Sequence, residues 1–357
     1  MACECGYLPV DYLQDKFGKI EDENEKAIFI AGNLLPREDI CDAIKSLCHG
    51  SALISEERVL AFSGQAKDFF NQNWENIEFK GQPQIISYVF DIFLKNPAEI
   101  EYDFKQVVKD RKSQAIPDCT RIIGNSVNDD GSVNIFIEEG AEVECATINL
   151  KDGPVYIGKD AIVMEGSCLK GPLAVCESSE IRMGAKIYGG STFGPHCKMG
   201  GEIDNTVVFG YSNKAHDGYL GNAVIGEWCN IGAGVNASNL KNDYSKIRVW
   251  NYRTKTFMRT ELQFCGLIMG DHSKIGVNCM LNTATVIGVG VNLHGTGFPR
   301  VFIPSFSEGS PGAGFNDVTR KKFQEIADIV MSRREIEMDE NERKIYDYIF
   351  ENVKQFK

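Results

Sequence analysis

The chain has 357 residues, enough for two or three domains with a sizeable core, and its 43% apolar and 25% charged content is that of an ordinary globular protein. A formal net charge of −12 argues against non-specific nucleic-acid binding, which rests on clustered lysine and arginine, while leaving room for a small anionic substrate held by local charge. The 12 cysteines are scattered without a C-x-x-C pair, which argues against a metal site of the zinc type and for a reducing, cytoplasmic compartment; most fall in apolar repeats, where a thiol serves as a small buried group.

The N-terminus lacks the basic stretch and apolar run of a signal peptide, and no apolar run nears the roughly 18 residues of a membrane span. Residues 1–115 read as a small mixed α/β domain. The apolar run at 27–31, ending at Gly32-Asn33, predicts a buried strand and turn. Residues 38–47 carry Ile40, Ala43, Ile44 and Leu47 at helical spacing, and the apolar run 85–94 stops at Asn96-Pro97. No glycine-rich phosphate loop occurs in this region.

From 116 to 304 the periodicity changes. Ile157, Val163, Leu169, Val175, Ile181, Ile187, Phe193 and Met199 recur every six residues, and Ala161, Ser167, Leu173, Ser179, Ala185, Ser191, Cys197 and Ile203 follow four later, mostly small. Neither helical spacing nor simple alternation gives this pattern. It predicts a β-solenoid with one hexapeptide per side, the aliphatic pointing inward and the small residue near the corner. The pattern returns at Ile225 and Ile231, and again from Met269 through Ile275, Leu281, Ile287 and Leu293. The interruptions at about 204–222 and 237–265 are expected to leave the coil and carry function. Residues 305–314 (SFSEGSPGAG) read as a flexible linker. Two helices follow, one capped by Asn316-Asp317 and carrying Phe323, Ile326, Ala327 and Val330, the other opened by Asp339 and carrying Ile345, Tyr346, Ile349, Phe350 and Val353; they are expected to cover an open solenoid end.

His216 to Gly226 has the form H-x-x-Y-L-G-N-A-x-I-G; N-I-G-A-G from Asn230 and an asparagine at 239 follow. Residues 241–259 hold Lys241, Lys246, Arg248, Arg253, Lys255 and Arg259 against Asp243, a basic segment in an acidic chain that suits phosphate groups. His196, His272 and His294 lie in or beside repeats and are taken as structural.

Those motifs resemble the acetyltransferase domain of the bifunctional N-acetylglucosamine-1-phosphate uridyltransferase/glucosamine-1-phosphate acetyltransferase family. The later N-L-x-x-D and G-x-I-x-G-D-H-x-x-x-G-x-N, from Gly266 to Asn278, resemble archaeal-type sugar-1-phosphate nucleotidyltransferases with acetyltransferase tails. The stretch from Tyr88 to Phe104 is similar to the connector of a Bacteroidetes-type group. The resemblance implies a mainly β fold whose solenoid is a left-handed parallel β-helix, flanked by a small, reduced or truncated nucleotidyltransferase-like α/β domain and by C-terminal helices. It implies an N-acetyltransferase using acetyl-CoA as a substrate, acting on a small-molecule amino-sugar phosphate in nucleotide-sugar or cell-envelope precursor synthesis, with no metal at that site.

His216 would be the general base, a role typically worth about 10²–10⁴-fold. Tyr219, Asn239, Lys214 and Lys241 would hold the sugar substrate, and Lys246, Arg248, Arg253 and Lys255 the CoA. A homotrimer with sites between neighbours is the family expectation. Two departures matter: Asp204 stands where the bacterial enzymes place a phosphate-binding lysine, and the front lacks the family's L-x-x-G-x-G-T-R-M loop. Competing expectations are a sugar-1-phosphate nucleotidyltransferase using the solenoid to trimerise, and a non-catalytic binding or structural protein.

Overall fold

A computed structural model describes residues 6–19 and 22–357; Cys3, Cys5 and the start of the N-terminus lie outside the described residues. The chain divides into two compact units, residues 1–89 with 340–345, and residues 90–339 with 346–357.

The first unit holds a four-stranded sheet in the order Lys26–Ile30, Arg58–Gln65, Ser51–Ser55, Glu75–Glu78, antiparallel except for the last pair. The helix Glu38–Lys45 forms where its spacing predicts and packs Ile40 and Ile44 with Leu53, Leu60 and Ala61. The strand predicted at 27–31 exists but is not buried: it is an edge, paired on one side only, with Ile28 and Ile30 half exposed.

The second unit opens with the helix Val89–Val107, which runs through Pro97 rather than stopping there. A proline inside a helix lacks the N–H that would bond the carbonyl four residues back, a defect of about 3 kcal/mol. Here that carbonyl, on Phe93, is supplied by the Asn205 amide at 3.0 Å in the orientation that satisfies its neighbours. Asn96 beside the proline donates to the Gly190 carbonyl at 2.8 Å and accepts from Thr192 Oγ1 at 3.0 Å. Phe90, Phe93, Ile100 and Phe104 are buried along the helix, so tertiary packing overrides the local break.

The remainder is a left-handed β-helix. Among the described residues its strands fall into sheets of ten, eight and nine strands, parallel throughout except for a final antiparallel strand at the edge of the ten-stranded sheet. The pairing Ile157, Val175, Phe193 shows that 18 residues make one turn of three sides. All sixteen residues of the two predicted six-step series are buried, at 2% exposure or less. The small corner residue is often serine because its hydroxyl bridges turns: Ser179 Oγ donates to the Gly194 carbonyl at 2.7 Å and accepts from Cys197 N–H at 2.9 Å, and Ser212 and Ser273 repeat the arrangement. A buried inward hydroxyl is thereby satisfied rather than orphaned.

Three expectations change. The interruption at 204–222 does not leave the coil: Phe193 pairs with Val208 and Ile203 with Leu220, so the turns merely shorten at their corners. Only the second interruption is an excursion, with Ile225 pairing next to Met269 and a hairpin, Arg248–Asn251 with Thr256–Arg259, projecting between. The predicted linker 305–314 is not one. Ser307–Ser310 joins the ten-stranded sheet and Gly314–Asp317 closes its edge, so the first C-terminal helix, Arg320–Ser332, is capped by Thr319 and not by Asn316-Asp317.

The C-terminal helices lie along a corner instead of over an end. His196, Tyr211, Trp228 and His272 occupy successive turns with φ of 58°, 60°, 59° and 56°, stacked ring on ring at 4.8, 4.2 and 6.1 Å. Phe323 and Tyr346 meet the His272 ring edge-on at 5.7 and 5.2 Å. The column is an apolar seam that the helices bury, with Ala327, Met331, Ile349, Phe350 and Val353 in the same cluster. Burial of His272 among these rings pushes its pKa down to about 3, so it is neutral and structural. His294 is exposed at the end of Asn292–Leu293. No helix among the described residues is long and apolar enough to cross a membrane.

Candidate functional site

Residues 215–218 form the corner between Asn213–Lys214 in the ten-stranded sheet and Tyr219–Gly221 in the eight-stranded sheet. Only glycine suits 218: its φ is +122°, and a Cβ there would meet the Val235 carbonyl oxygen at 2.1 Å. Lys214 stands opposite the inward Met199 and is 2% exposed. Its Nζ donates to the carbonyls of His216 at 2.5 Å and Gly200 at 3.2 Å. Burial pulls its pKa from 10.5 to about 8, with Asp217 opposing. The substrate contact expected of Lys214 is therefore corrected. Its ammonium lies inside the coil, committed to two carbonyls, and tethers the corner through the backbone of His216. The His216 imidazole itself is exposed and has no hydrogen-bond partner among the described residues.

Tyr219 and Asn239 do meet. The tyrosine side chain lies across Gly221, where a Cβ would come within 2.3 Å of the Tyr219 hydroxyl and 2.8 Å of Asn239 Nδ2. Asn239 Nδ2 donates to that hydroxyl at 2.9 Å and to Asn222 Oδ1 at 2.8 Å, and Asn222 donates on to Asn205 at 2.9 Å. This amide chain uses the tyrosine oxygen as acceptor and leaves its proton free to donate outward. Burial, then the charge of Asp204, pushes the Tyr219 pKa up to about 12, so the phenol stays protonated. Asp204 lies opposite Gly221 in the register; burial, then the charge of Glu202, raises its pKa, with Lys170 opposing. Its carboxylate has no hydrogen-bonded donor among the described residues.

The basic segment lies elsewhere. Lys241 Nζ donates to Ser245 Oγ at 3.3 Å and to the Lys246 carbonyl at 3.1 Å; Lys246 Nζ donates to the Glu261 carbonyl at 2.6 Å. Arg248, Arg253 and Lys255 are exposed on the hairpin, Arg248 over the Phe257 ring at 6.0 Å and Lys255 over Phe356 at 5.9 Å. The hairpin packs Ile247, Val249, Trp250 and Met258 with Val224, Ile268, Val286 and Phe302, the outward residues of the nine-stranded sheet. His216 sits at the corner joining the other two sheets. Arg248, Arg253 and Lys255 thus stand on a hairpin over the sheet that the His216 corner does not border, while Lys246 lies in the segment leading to it, beside Lys241.

Sequence reasoning missed Asn205 and Asn222. Their signal was present: Asn205, Asn222 and Asn239 are spaced 17 residues apart, one shortened turn, and the first two hold φ of 43° and 49°, a region asparagine enters more readily than most residues.

A family model described as sugar nucleotidyl transferase matches residues 1–112. The bifunctional protein GlmU of Trichodesmium erythraeum is 31% identical over 140 residues, 39% of this chain and 25% of that protein. GlmU of Methanococcus vannielii is 26% identical over 263 residues, 72% of this chain and 50% of that protein. The chain thus matches half or less of these curated relatives. Among solved structures, the UDP-N-acetylglucosamine acyltransferase of Francisella novicida aligns over 68% of this chain and 88% of its own, with 11% identity and a TM-score of 0.35. The chain is a hexapeptide-repeat β-solenoid related to the GlmU-like acetyltransferase and nucleotidyltransferase proteins.

Proposed function

We propose that the solenoid unit is an acyltransferase that moves the acetyl group of acetyl-CoA to the amine of an amino-sugar phosphate. The observation that carries this is the His216 corner: an exposed, unpartnered imidazole on a backbone tethered from inside by Lys214, one short strand edge from a tyrosine whose hydroxyl proton is free. The His216 imidazole takes a proton from the amine as the amine nitrogen attacks the thioester carbonyl. Tyr219 donates to the oxygen that gains negative charge or to a sugar hydroxyl, and Asn239 fixes the phenol. Collapse of the tetrahedral adduct re-forms the carbonyl and expels CoA as thiolate, which recovers the proton from the imidazolium.

Lys246, Arg248, Arg253 and Lys255 belong to the excursion whose hairpin packs over the sheet that the His216 corner does not border. In this reading they serve a neighbouring copy, in a cyclic homotrimer whose sites lie between coils. The unpaired Asp204 disfavours an anionic group beside Tyr219, so the acceptor's phosphate points away from that carboxylate. Cytoplasmic precursor synthesis and membership of the Bacteroidetes-type group belong to the same proposal.

The test is CoA release from acetyl-CoA with a panel of hexosamine 1-phosphates; turnover on at least one acceptor, lost in His216→Ala, is the expected result, and no turnover on any acceptor refutes it. A second reading is favoured by the sugar nucleotidyl transferase match over residues 1–112. It predicts pyrophosphate release from a nucleoside triphosphate and a sugar 1-phosphate, insensitive to His216→Ala. A purely structural protein would show neither activity.

A further inference from the structure

The cysteines are not uniformly buried fillers. Cys197, Cys229, Cys265 and Cys279 are buried in the coil as the repeat predicts, but Cys48, Cys119, Cys145 and Cys168 are exposed. Two of these exposed thiols are neighbours. Arg121 pairs with Thr147 in parallel register, and Cys119 and Cys145 each lie two residues earlier, side by side on the first two turns of the solenoid. Adjacent strands lie about 4.8 Å apart, inside the Cα separation of about 4.4–6.8 Å that a disulfide spans. The Cys145 N–H donates to Cys119 Sγ at 3.2 Å.

We infer that Cys119 and Cys145 are a reactive dithiol, a modification site that closes to an intramolecular disulfide on meeting a low-molecular-weight disulfide. Cys119 attacks first. Hydrogen bonding from the Cys145 thiol, then from its backbone N–H, lowers the Cys119 pKa. The pKa of Cys145 is raised, first by that same thiol contact and then by burial, with the charges of Cys119, Glu144 and Glu165 adding to it. The Cys119 thiolate attacks one sulfur of the reagent disulfide, forming a mixed disulfide and releasing one thiolate. Cys145 then loses its proton to solvent and attacks Cys119 Sγ, expelling the second. Two protein thiols are oxidised and one disulfide reagent is reduced to two thiols.

The acids beside Cys145 favour a neutral reagent over an anionic one. The bond would staple residues 120–144, the first turn, whose loop lines a cavity of about 780 Å³ together with Glu101, Lys105, Lys151 and Asp152. Cys168 is the rival partner, but it pairs with Thr147 and so lies out of register with Cys145.

The experiment treats the full-length protein with 2-hydroxyethyl disulfide, then alkylates and maps the peptides. The expected product carries no covalent link between chains and is lighter by two hydrogens, with a Cys119–Cys145 cross-link. Cys119→Ser and Cys145→Ser each lose it, Cys168→Ser keeps it, and limiting iodoacetamide labels Cys119 before Cys48 or Cys168. A Cys145–Cys168 link, cross-linked dimers only, or an unreacted pair would each overturn the inference.

Discussion

Replacing Lys214 by methionine should change how stability depends on pH, because the lysine holds its ammonium inside the coil. Its pKa falls from 10.5 to about 8, chiefly by burial. At about 1.4 kcal/mol per pH unit, that interval corresponds to about 3 kcal/mol. The unfolded chain keeps the proton up to its ordinary value while the buried amine releases it near 8. Between those values the unfolded state therefore binds more protons, and stability rises with pH. The cost of the buried charge is fully present below about 8 and gone above about 10.5.

Other groups push the opposite way in the same range. Burial raises Cys197 and Tyr219 to about 12, so the unfolded chain loses those protons first and stability falls. Lys274, also near 8, adds to the lysine effect. The difference between wild type and Lys214→Met removes these common terms. Methionine fills the same channel without charge. The carbonyls of Gly200 and His216 lose a donor at about 1–3 kcal/mol each where dry, but carbonyls do not titrate, so that cost is constant. Urea unfolding of both proteins under reducing conditions, across pH about 7 to about 11, should show wild type gaining about 3 kcal/mol on the variant as pH rises. A flat difference, or one of opposite sign, would refute the buried ammonium.

Asn205→Ala should cost about 1–3 kcal/mol by orphaning the Phe93 carbonyl that Pro97 leaves free, and adding Pro97→Ala should recover part of it because residue 97 then supplies the helical N–H; urea unfolding without recovery would refute that account. Trp228→Ala, removing a ring 4% exposed within the corner column, should cost about 3–5 kcal/mol and raise hydrogen exchange selectively in Arg320–Ser332; unchanged exchange there would show that the column does not hold the helix. Gly221→Ala should displace the Tyr219 ring and lower acetyl transfer as much as Tyr219→Phe does, with no further loss in the double variant; additive losses would separate the two effects.

The solenoid was legible because its constraint is local and repeated: each inward position sees the same position one turn away, so a six-residue period survives in the sequence. The same register would have exposed the aromatic corner column, since His196, Tyr211, Trp228, His272 and Phe306 each precede a small residue, Cys197, Ser212, Cys229, Ser273 or Ser307. Pro97 misled because its repair comes from Asn205, more than a hundred residues away. Lys214 misled because a lysine beside a histidine in a polar segment looks solvent-facing; only strand register shows that it takes the inward place of Met199 on the next turn. The motif named Tyr219 and Asn239 but not the hydrogen bond between them, and the placement of the basic hairpin depends on which sheet Val249 and Trp250 cover.

The central claim is that the His216 corner performs acetyl transfer, and steady-state CoA release with acetyl-CoA and hexosamine 1-phosphates tests it most directly. The expected result is turnover on at least one acceptor and a fall of about 10²–10⁴-fold in kcat for His216→Ala with the fold intact. Turnover that His216→Ala leaves unchanged would contradict it.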